Sequence, residues 1–186
     1  MPSPHAIVFR RASEIESLET IRSDLDAVFY ESSLTKSFPS DAVRVAFRER
    51  WLGRDLDAAP ELFHLAYADL AGGGERVVGY LAGALDDPAQ SERYRDIGYF
   101  PRLSDWTARF PAHLHINVAN SARSSGIGGA LIERFVGDVV AAGLPGVHVV
   151  TGAASRNVGF YRRNGFTSAH EFDWQGVALV FLGRLT

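Results

Sequence analysis

The sequence predicts an α/β (α+β) fold, a central mixed and mostly antiparallel sheet of about seven strands with helices packed against it. Three observations predict it. Seven short runs are rich in β-branched and aromatic residues, three longer stretches repeat apolar residues at helical spacing, and glycine or proline punctuates the junctions. With 186 residues, 46% of them hydrophobic, the chain can bury roughly two-thirds of the surface its unfolded form exposes. No linker-like stretch, low-complexity tract or internal repeat divides it, so residues 1–186 read as one domain.

Ala6-Ile7-Val8-Phe9-Arg10 forms the first strand. From Glu14, apolar residues at Ile15, Leu18, Ile21, Leu25, Val28 and Phe29 trace one helix face. Pro39 and Ser40 open a second helix with Val43, Phe47 and Trp51 as its buried stripe. Strands from Phe63 to Leu70 and from Val77 to Leu85 join through Ala71-Gly72-Gly73-Gly74, a hairpin-type connection. Residues 86–111 show no periodicity but carry Tyr94, Tyr99, Phe100, Trp106 and Phe110. A strand runs from Ala112 to Val118, and after a glycine-bearing turn a helix runs from near Gly128 to Ala142. Leu131, Phe135 and Val139 form one apolar row on it and Ile132, Val136 and Val140 its neighbour, the wide stripe of a helix lying flat on a sheet. Gly143 and Pro145 stop it. Val147 to Thr151 is a strand, Asn157 to Arg163 a short helix ending at Gly165, and His170 to Trp174 and Ala178 to Leu182 are the closing strands.

Composition excludes several functions. Nineteen basic against 22 acidic residues leave a net charge of −3, which argues against nucleic-acid binding by bulk charge. Lys36 is the only lysine, so no phosphate loop ending in Gly-Lys-Ser/Thr exists. The absence of cysteine removes disulfides, thiolate-bound zinc and thiol catalysis together. Met1-Pro2-Ser3-Pro4-His5 has no signal-peptide character, and no apolar run reaches membrane-spanning length. The expectation is a cytoplasmic protein with neither a membrane nor a nucleic acid as partner.

The informative stretch starts at Val118. A strand ends there, four residues intervene, and Arg123-Ser124-Ser125-Gly126-Ile127-Gly128-Gly129 opens a helix. Glycines let the backbone turn and approach a ligand closely. The amides of Ser124 through Gly129 then point into one concavity at the positive helix end, an anion nest suited to a pyrophosphate. A dinucleotide-binding turn fits less well, because Leu131 occupies the third glycine position and Asp138 lies inside the helix.

Arg123-x-x-Gly126-x-Gly128, preceded five residues earlier by the strand end Val118, resembles the pyrophosphate motif of the GNAT superfamily of acyl-CoA-dependent N-acyltransferases. A second stretch, Asn157-Val158-Gly159-Phe160-Tyr161-Arg162-Arg163-Asn164-Gly165-Phe166, looks like that family's Asn-x-x-x-Tyr-x-x-x-Gly-Phe helix and turn. The resemblance implies helices on both faces of the sheet, and acetyl-CoA held between the splayed ends of the fourth and fifth strands. It places the pyrophosphate on Ser124, Ser125, Gly126, Ile127, Gly128 and Gly129 with Arg123 beside it. By the same resemblance the Val118 backbone N–H polarises the thioester carbonyl, a contribution commonly worth ~3–4 kcal/mol. Tyr161 looks like the acid for the departing thiolate, and as a phenol of pKa ~10 it serves if a hydrogen bond supports it. Its alternative is a core aromatic. Asn157 resembles a contact to the CoA arm, and it equally reads as a cap for its helix.

The acceptor is an amine of unknown identity, and its activation is the harder problem. A lysine-like amine is neutral in about one molecule in 2,500 at pH 7, equivalent to ~4.6 kcal/mol. The family often supplies a base from the fourth strand on the parity of Val118, yet Ile116, Leu114 and Ala112 occupy it here. His115 stands on the opposite parity with His113 and Asn117, and a bulge would swap the faces. Two readings of His115 stand: a general base, or a buried hydrogen-bonded histidine. Asp173 is another candidate base. His113 and His115 share a strand face and could pair on a metal with His148, His170 or Asp173, but no acidic motif completes a site, so no metal is expected. Residues 86–111 read either as a lid over an acceptor pocket or as a seal on a sheet edge.

Phe110-Pro111-Ala112-His113-Leu114-His115-Ile116 also resembles bacterial GNAT relatives of the acetyltransferase-like domain of protein O-GlcNAcases. The resulting expectation is a single-domain N-acetyltransferase using acetyl-CoA and pairing as a homodimer. The alternative is an acetyl-CoA-binding or interaction module of the same fold without turnover.

Overall fold

The computed structural model describes residues 7–33, 35–70 and 73–186. Ala6 of the expected first strand, Ala71 and Gly72 of the hairpin connection, and the Met1–His5 start lie outside the described residues. Strands β1 (Ile7–Arg11), β2 (Phe63–Asp69), β3 (Glu75–Ala84), β4 (Ala112–Val118), β5 (Gly146–Gly152), β6 (Ser168–Trp174) and β7 (Val177–Leu185) form one sheet in the order β1-β2-β3-β4-β5-β7-β6. Pairing is antiparallel for β1–β2, β2–β3, β5–β7 and β6–β7, and parallel for β4–β5. The sheet is therefore mixed and mostly antiparallel, as the sequence predicts. By packing, the chain divides into two compact units, Met1–Gly83 with His115–Phe135, and Ala84–Leu114 with Val136–Thr186.

In the first unit, α1 (Glu19–Ser32) starts later than the apolar spacing from Glu14 suggests. A 3₁₀ turn over Ala12–Glu14 intervenes, although Ile15 and Leu18 still pack on the core. Ser40 caps α2 (Asp41–Arg48), its hydroxyl accepting from the Val43 N–H at 3.3 Å. A π-helical turn, Glu49–Gly53, follows, and then α3 (Arg54–Ala58). Val43 departs from the expected buried stripe and is 47% exposed. The start of α2 stands out from the core, and the wide π turn rotates the following residues so that Leu52 and Leu56 become the buried ones. They pack with Leu25, Phe29, Phe63, Leu65 and Tyr80.

The other face of β3 takes α5 (Ile127–Ala141). A Cβ on Gly83 would stand 2.2 Å from the Phe135 ring, and one on Gly79 would stand 3.4 Å from Ile127 Cγ2. These two missing side chains let the first half of α5 lie on the strand, while Tyr80 between them points into the α1 core. Helices thus cover both faces in this unit. The β2–β3 register slips where Ala66 pairs with Gly79 and Tyr67 with Val77, leaving Val78 as an extra residue. Such a bulge bends the strand locally.

The second unit holds β5, β6, β7, α4 (Ser104–Thr107) and α6 (Asn157–Arg163). Residues 86–111 wind through short turns, and their aromatics cover the sheet. Phe110 lies over Gly146 and Gly183, where a Cβ would meet its ring at 2.7 and 2.8 Å. Trp106 stacks on His170 with ring centroids 5.0 Å apart, and Tyr99 packs on Phe172 and Trp174. Of the two readings of this segment, the packing is that of a seal.

His148 is fully buried and stacks on Phe181 at 4.4 Å. Its Nδ1 lies 2.5 Å from the Phe110 carbonyl, which can only accept, so Nδ1 carries the proton. Burial pulls its pKa down to about 4 against the opposing pull of the Phe110 and Ala112 carbonyls. An unfolded histidine titrates near ~6.5. Stability from the neutral ring is therefore complete above that pH and is lost as pH falls toward 4. By pH 5 the loss is about 2 kcal/mol, or roughly 4–8 °C in Tm. Melting curves of His148→Phe should show a flatter Tm between pH 7 and pH 5 than wild type, and an unchanged slope would contradict this assignment.

Candidate functional site

The site is built on the end of β4. Asn117 Nδ2 donates to Tyr80 Oη at 2.6 Å, and the His115 ring lies 6.3 Å from the same tyrosine. Both therefore face the side of the sheet that α1 covers. Val118 Cγ2 instead approaches Gly79 and the start of α5. Alternation is regular from 115 to 118, and the bulge left open for this strand lies in β3, where the extra residue Val78 accepts the Ala119 N–H at 2.8 Å. Strand amides alternate in direction, so the Val118 N–H points to the opposite edge of β4. β4 pairs with β5 through Ala112 and His113, opposite Val147 and His148.

After Val118, a 3₁₀ turn (Asn120–Ala122) is tied to the end of α1, because the Glu31 carboxylate accepts the Asn120 N–H at 2.8 Å. The backbone then takes left-handed values at Ser124 (φ 63°) and Gly126 (φ 83°). Glycine adopts this freely, whereas serine does so at a cost of roughly 1–2 kcal/mol. The Ser125 hydroxyl braces the turn by donating to the Ala122 carbonyl at 2.5 Å. Helix bonding begins with the Ala130 N–H on the Gly126 carbonyl at 3.0 Å. No acceptor among the described residues takes the amides of residues 124–129, and Ser124, Ser125 and Gly126 are exposed. Arg123 folds back along the strand, its Nε donating to the Val118 carbonyl at 3.2 Å, and no carboxylate among the described residues pairs with it. Free amides, a helix dipole and an uncompensated guanidinium together fit an anion such as a pyrophosphate.

His115 packs among Phe29, Trp51 and Tyr80, with its Nδ1 buried and without a partner among the described residues. Burial pulls its pKa down to about 4, while the Trp51 backbone carbonyl pushes it back up. The ring is neutral at pH 7, a weak base with a free lone pair.

In the second unit, Tyr161 is 5% exposed and packs against Phe160 and Phe166. Burial raises its pKa above the usual phenol value, and its hydroxyl has no hydrogen bond among the described residues. The supporting hydrogen bond expected from the sequence is therefore not among them. Asn157 is exposed, and its side chain makes no capping bond among the described residues: the Ser155 hydroxyl takes the Asn157 N–H at 3.2 Å instead. Asp173 serves the turn after β6, its carboxylate accepting the Gly176 N–H at 3.0 Å. No cluster of three metal-ligating side chains occurs among the described residues, and none of their helices is long and apolar enough to cross a membrane.

The model of the acetyltransferase (GNAT) family matches residues 18–166, from α1 through the Tyr161 helix to Phe166. The chain belongs to this family. Solved structures share the fold. SsHAT superposes with a TM-score of 0.67 at 20% identity, covering 97% of this chain and 98% of its own. The ribosomal-protein-alanine N-acetyltransferase of Brucella melitensis gives 0.58 at 18% identity over 96% and 99%. The NatC complex bound to Gag peptide and CoA gives 0.60 at 14% over 97% and 98%.

Sequence reasoning missed three features of the GNAT chain's first unit. Asn117 and Glu31 brace the β4 end and its following turn, and a cavity of about 590 Å³ opens beside Tyr30, Lys36 and Arg44. No motif marks these residues.

Proposed function

We propose that the chain is an N-acetyltransferase that moves the acetyl group of acetyl-CoA to a primary amine by direct attack. The observation that carries this is the row of six amides, 124–129, without an acceptor among the described residues, with Arg123 beside it. Those groups would hold the CoA pyrophosphate, and acetyl-CoA brings the activated thioester. The Val118 N–H, directed away from β3, would donate to the thioester oxygen. Asn157, exposed at the start of α6, would bind the CoA arm with its side chain. A C–N bond forms and the C–S bond breaks, one proton leaving the amine and one reaching sulfur. Tyr161, protonated throughout the working pH range because burial raises its pKa, would donate to the sulfur.

His115 is the poised acceptor for the amine proton, within limits. Taking a proton from an ammonium of pKa ~10.4 onto a ring near 4 is uphill by roughly 9 kcal/mol. The amine must therefore arrive neutral, and His115 takes the proton released as the C–N bond forms. The same weakness favours a second reading, an acetyl-CoA-binding module without turnover. Thiol release from acetyl-CoA over a panel of primary amines separates them. Amine-dependent release, rising with pH as the neutral amine fraction rises, supports the enzyme. Acetyl-CoA binding with no release from any amine supports the module.

A further inference from the structure

We infer that Glu31 is a positioning residue for the acetyl-CoA loop. Its carboxylate fixes where the turn from Asn120 to Gly129 starts, and so sets how well Arg123 and the amides after it meet a pyrophosphate. This rests on the acetyltransferase reading above. Asp24 and Glu31 stand two turns apart on one face of α1. Each carboxylate accepts a backbone N–H from a different part of the sheet. Asp24 takes the Val77 N–H at 3.0 Å, beside the bulge in β3. Glu31 takes the Asn120 N–H at 2.8 Å, just beyond the end of β4. Between them the bulged Val78 accepts the Ala119 N–H at 2.8 Å. These bonds link α1 to β3, β3 to the exit from β4, and that exit back to α1. The Lys36 ammonium completes the frame by donating to the Tyr30 and Glu31 carbonyls at 3.1 and 2.8 Å, which pins the last turn of α1. All of these residues belong to one compact unit.

The sign of the charge points to geometry rather than electrostatics. Asn120 comes shortly before Arg123 in the chain, so a carboxylate on its amide opposes the anion that the loop is suited to hold. Glu31 is exposed and makes no ion pair among the described residues, which leaves the bond to Asn120 as its favourable contribution to the loop. The loop has little else to hold it. Its backbone bonds before the helix are those of a 3₁₀ turn, Ala122 N–H to the Ala119 carbonyl at 2.9 Å and Arg123 N–H to the Asn120 carbonyl at 3.4 Å. It also carries the left-handed Ser124. Without the charge-assisted bond at its start, such a loop has the binding geometry for a smaller fraction of the time. The apparent Kd then rises by the inverse of that fraction.

The test compares Glu31→Ala and Glu31→Gln with wild type by calorimetric titration with acetyl-CoA, thermal unfolding and amide hydrogen exchange. Glu31→Ala is expected to bind acetyl-CoA about tenfold more weakly, the loss of one charge-assisted bond. It should unfold within about 3 °C of wild type, because the side chain is exposed. Glu31→Gln keeps an acceptor for the Asn120 N–H and drops the opposing charge, so its affinity stays within about threefold of wild type. In turnover Glu31→Ala raises KM for acetyl-CoA and leaves kcat near wild type. An affinity of Glu31→Ala within twofold of wild type, or a Gln variant as weak as the Ala variant, overturns the inference. If wild type itself does not bind acetyl-CoA, the cofactor reading fails by itself and hydrogen exchange judges the positioning. Faster exchange of the amides from 120 to 129 in Glu31→Ala, restored in Glu31→Gln, upholds it, and exchange equal to wild type overturns it.

Discussion

Arg123→Glu should bind acetyl-CoA about 100-fold more weakly than wild type while unfolding at nearly the same temperature. The two effects separate because Arg123 makes one bond to its own chain, Nε to the Val118 carbonyl, and no ion pair among the described residues. A surface change of that kind moves stability by about 0.5 kcal/mol or less. Against a pyrophosphate the same side chain supplies a charge-assisted contact worth about 1.5–3 kcal/mol. Glutamate removes it and adds about 1 kcal/mol of repulsion at 4 Å in water-like surroundings. The sum is near the ~2.7 kcal/mol of a 100-fold change. Calorimetric titration with acetyl-CoA at two salt concentrations reads it. An affinity within threefold of wild type would remove Arg123 from the phosphate site, and a large loss of Tm would make its role structural.

Tyr161→Phe should lower kcat about 100-fold and leave acetyl-CoA affinity and Tm nearly unchanged. The hydroxyl has no hydrogen bond among the described residues, so phenylalanine leaves no orphaned partner. Its ring keeps its place between Phe160 and Phe166. A positioned proton donor contributes typically ~10²–10⁴-fold. The lower end applies here, since a phenol raised above its usual pKa is a poor acid toward a thiolate of pKa ~8.5. Because burial raises that pKa, no alkaline limb below pH 10 should belong to Tyr161. Single-turnover kinetics decide the point, and a kcat within twofold of wild type would return Tyr161 to a packing role.

What the sequence made legible follows from the range of the interactions. Val118 and the turn to Gly129 could be read because local rules govern them: a strand ends, glycines permit a left-handed turn, and a helix start leaves its amides free. The β4 limits, Ala112 and Val118, came from a period-2 run bounded by a proline and a turn. The exposed Val43 did not, because the start of α2 stands out from the core, and the burial of Leu52 and Leu56 was hidden because a π turn changes the helical period and no residue pattern announces one. The slip at Val78 was equally hidden, since register belongs to two strands together. Gly79 and Gly83 read as ordinary strand residues, because the α5 side chains that fill the space above them, Ile127 and Phe135, lie more than forty residues away in sequence. The environment of His115 was out of reach for the same reason. Phe29, Trp51 and Tyr80 come from three separate elements, and only their convergence pulls the ring's pKa down to about 4.

The central claim, that the loop from Arg123 to Gly129 is an acetyl-CoA site, is tested most directly by thermal unfolding with acetyl-CoA, CoA, NADH and ATP. At 100 times Kd a ligand adds ~2.7 kcal/mol, roughly 5–10 °C for a chain of this size. The account predicts that acetyl-CoA and CoA raise Tm by that amount while NADH and ATP do not. No shift with millimolar acetyl-CoA, or an equal shift with all four, would contradict it.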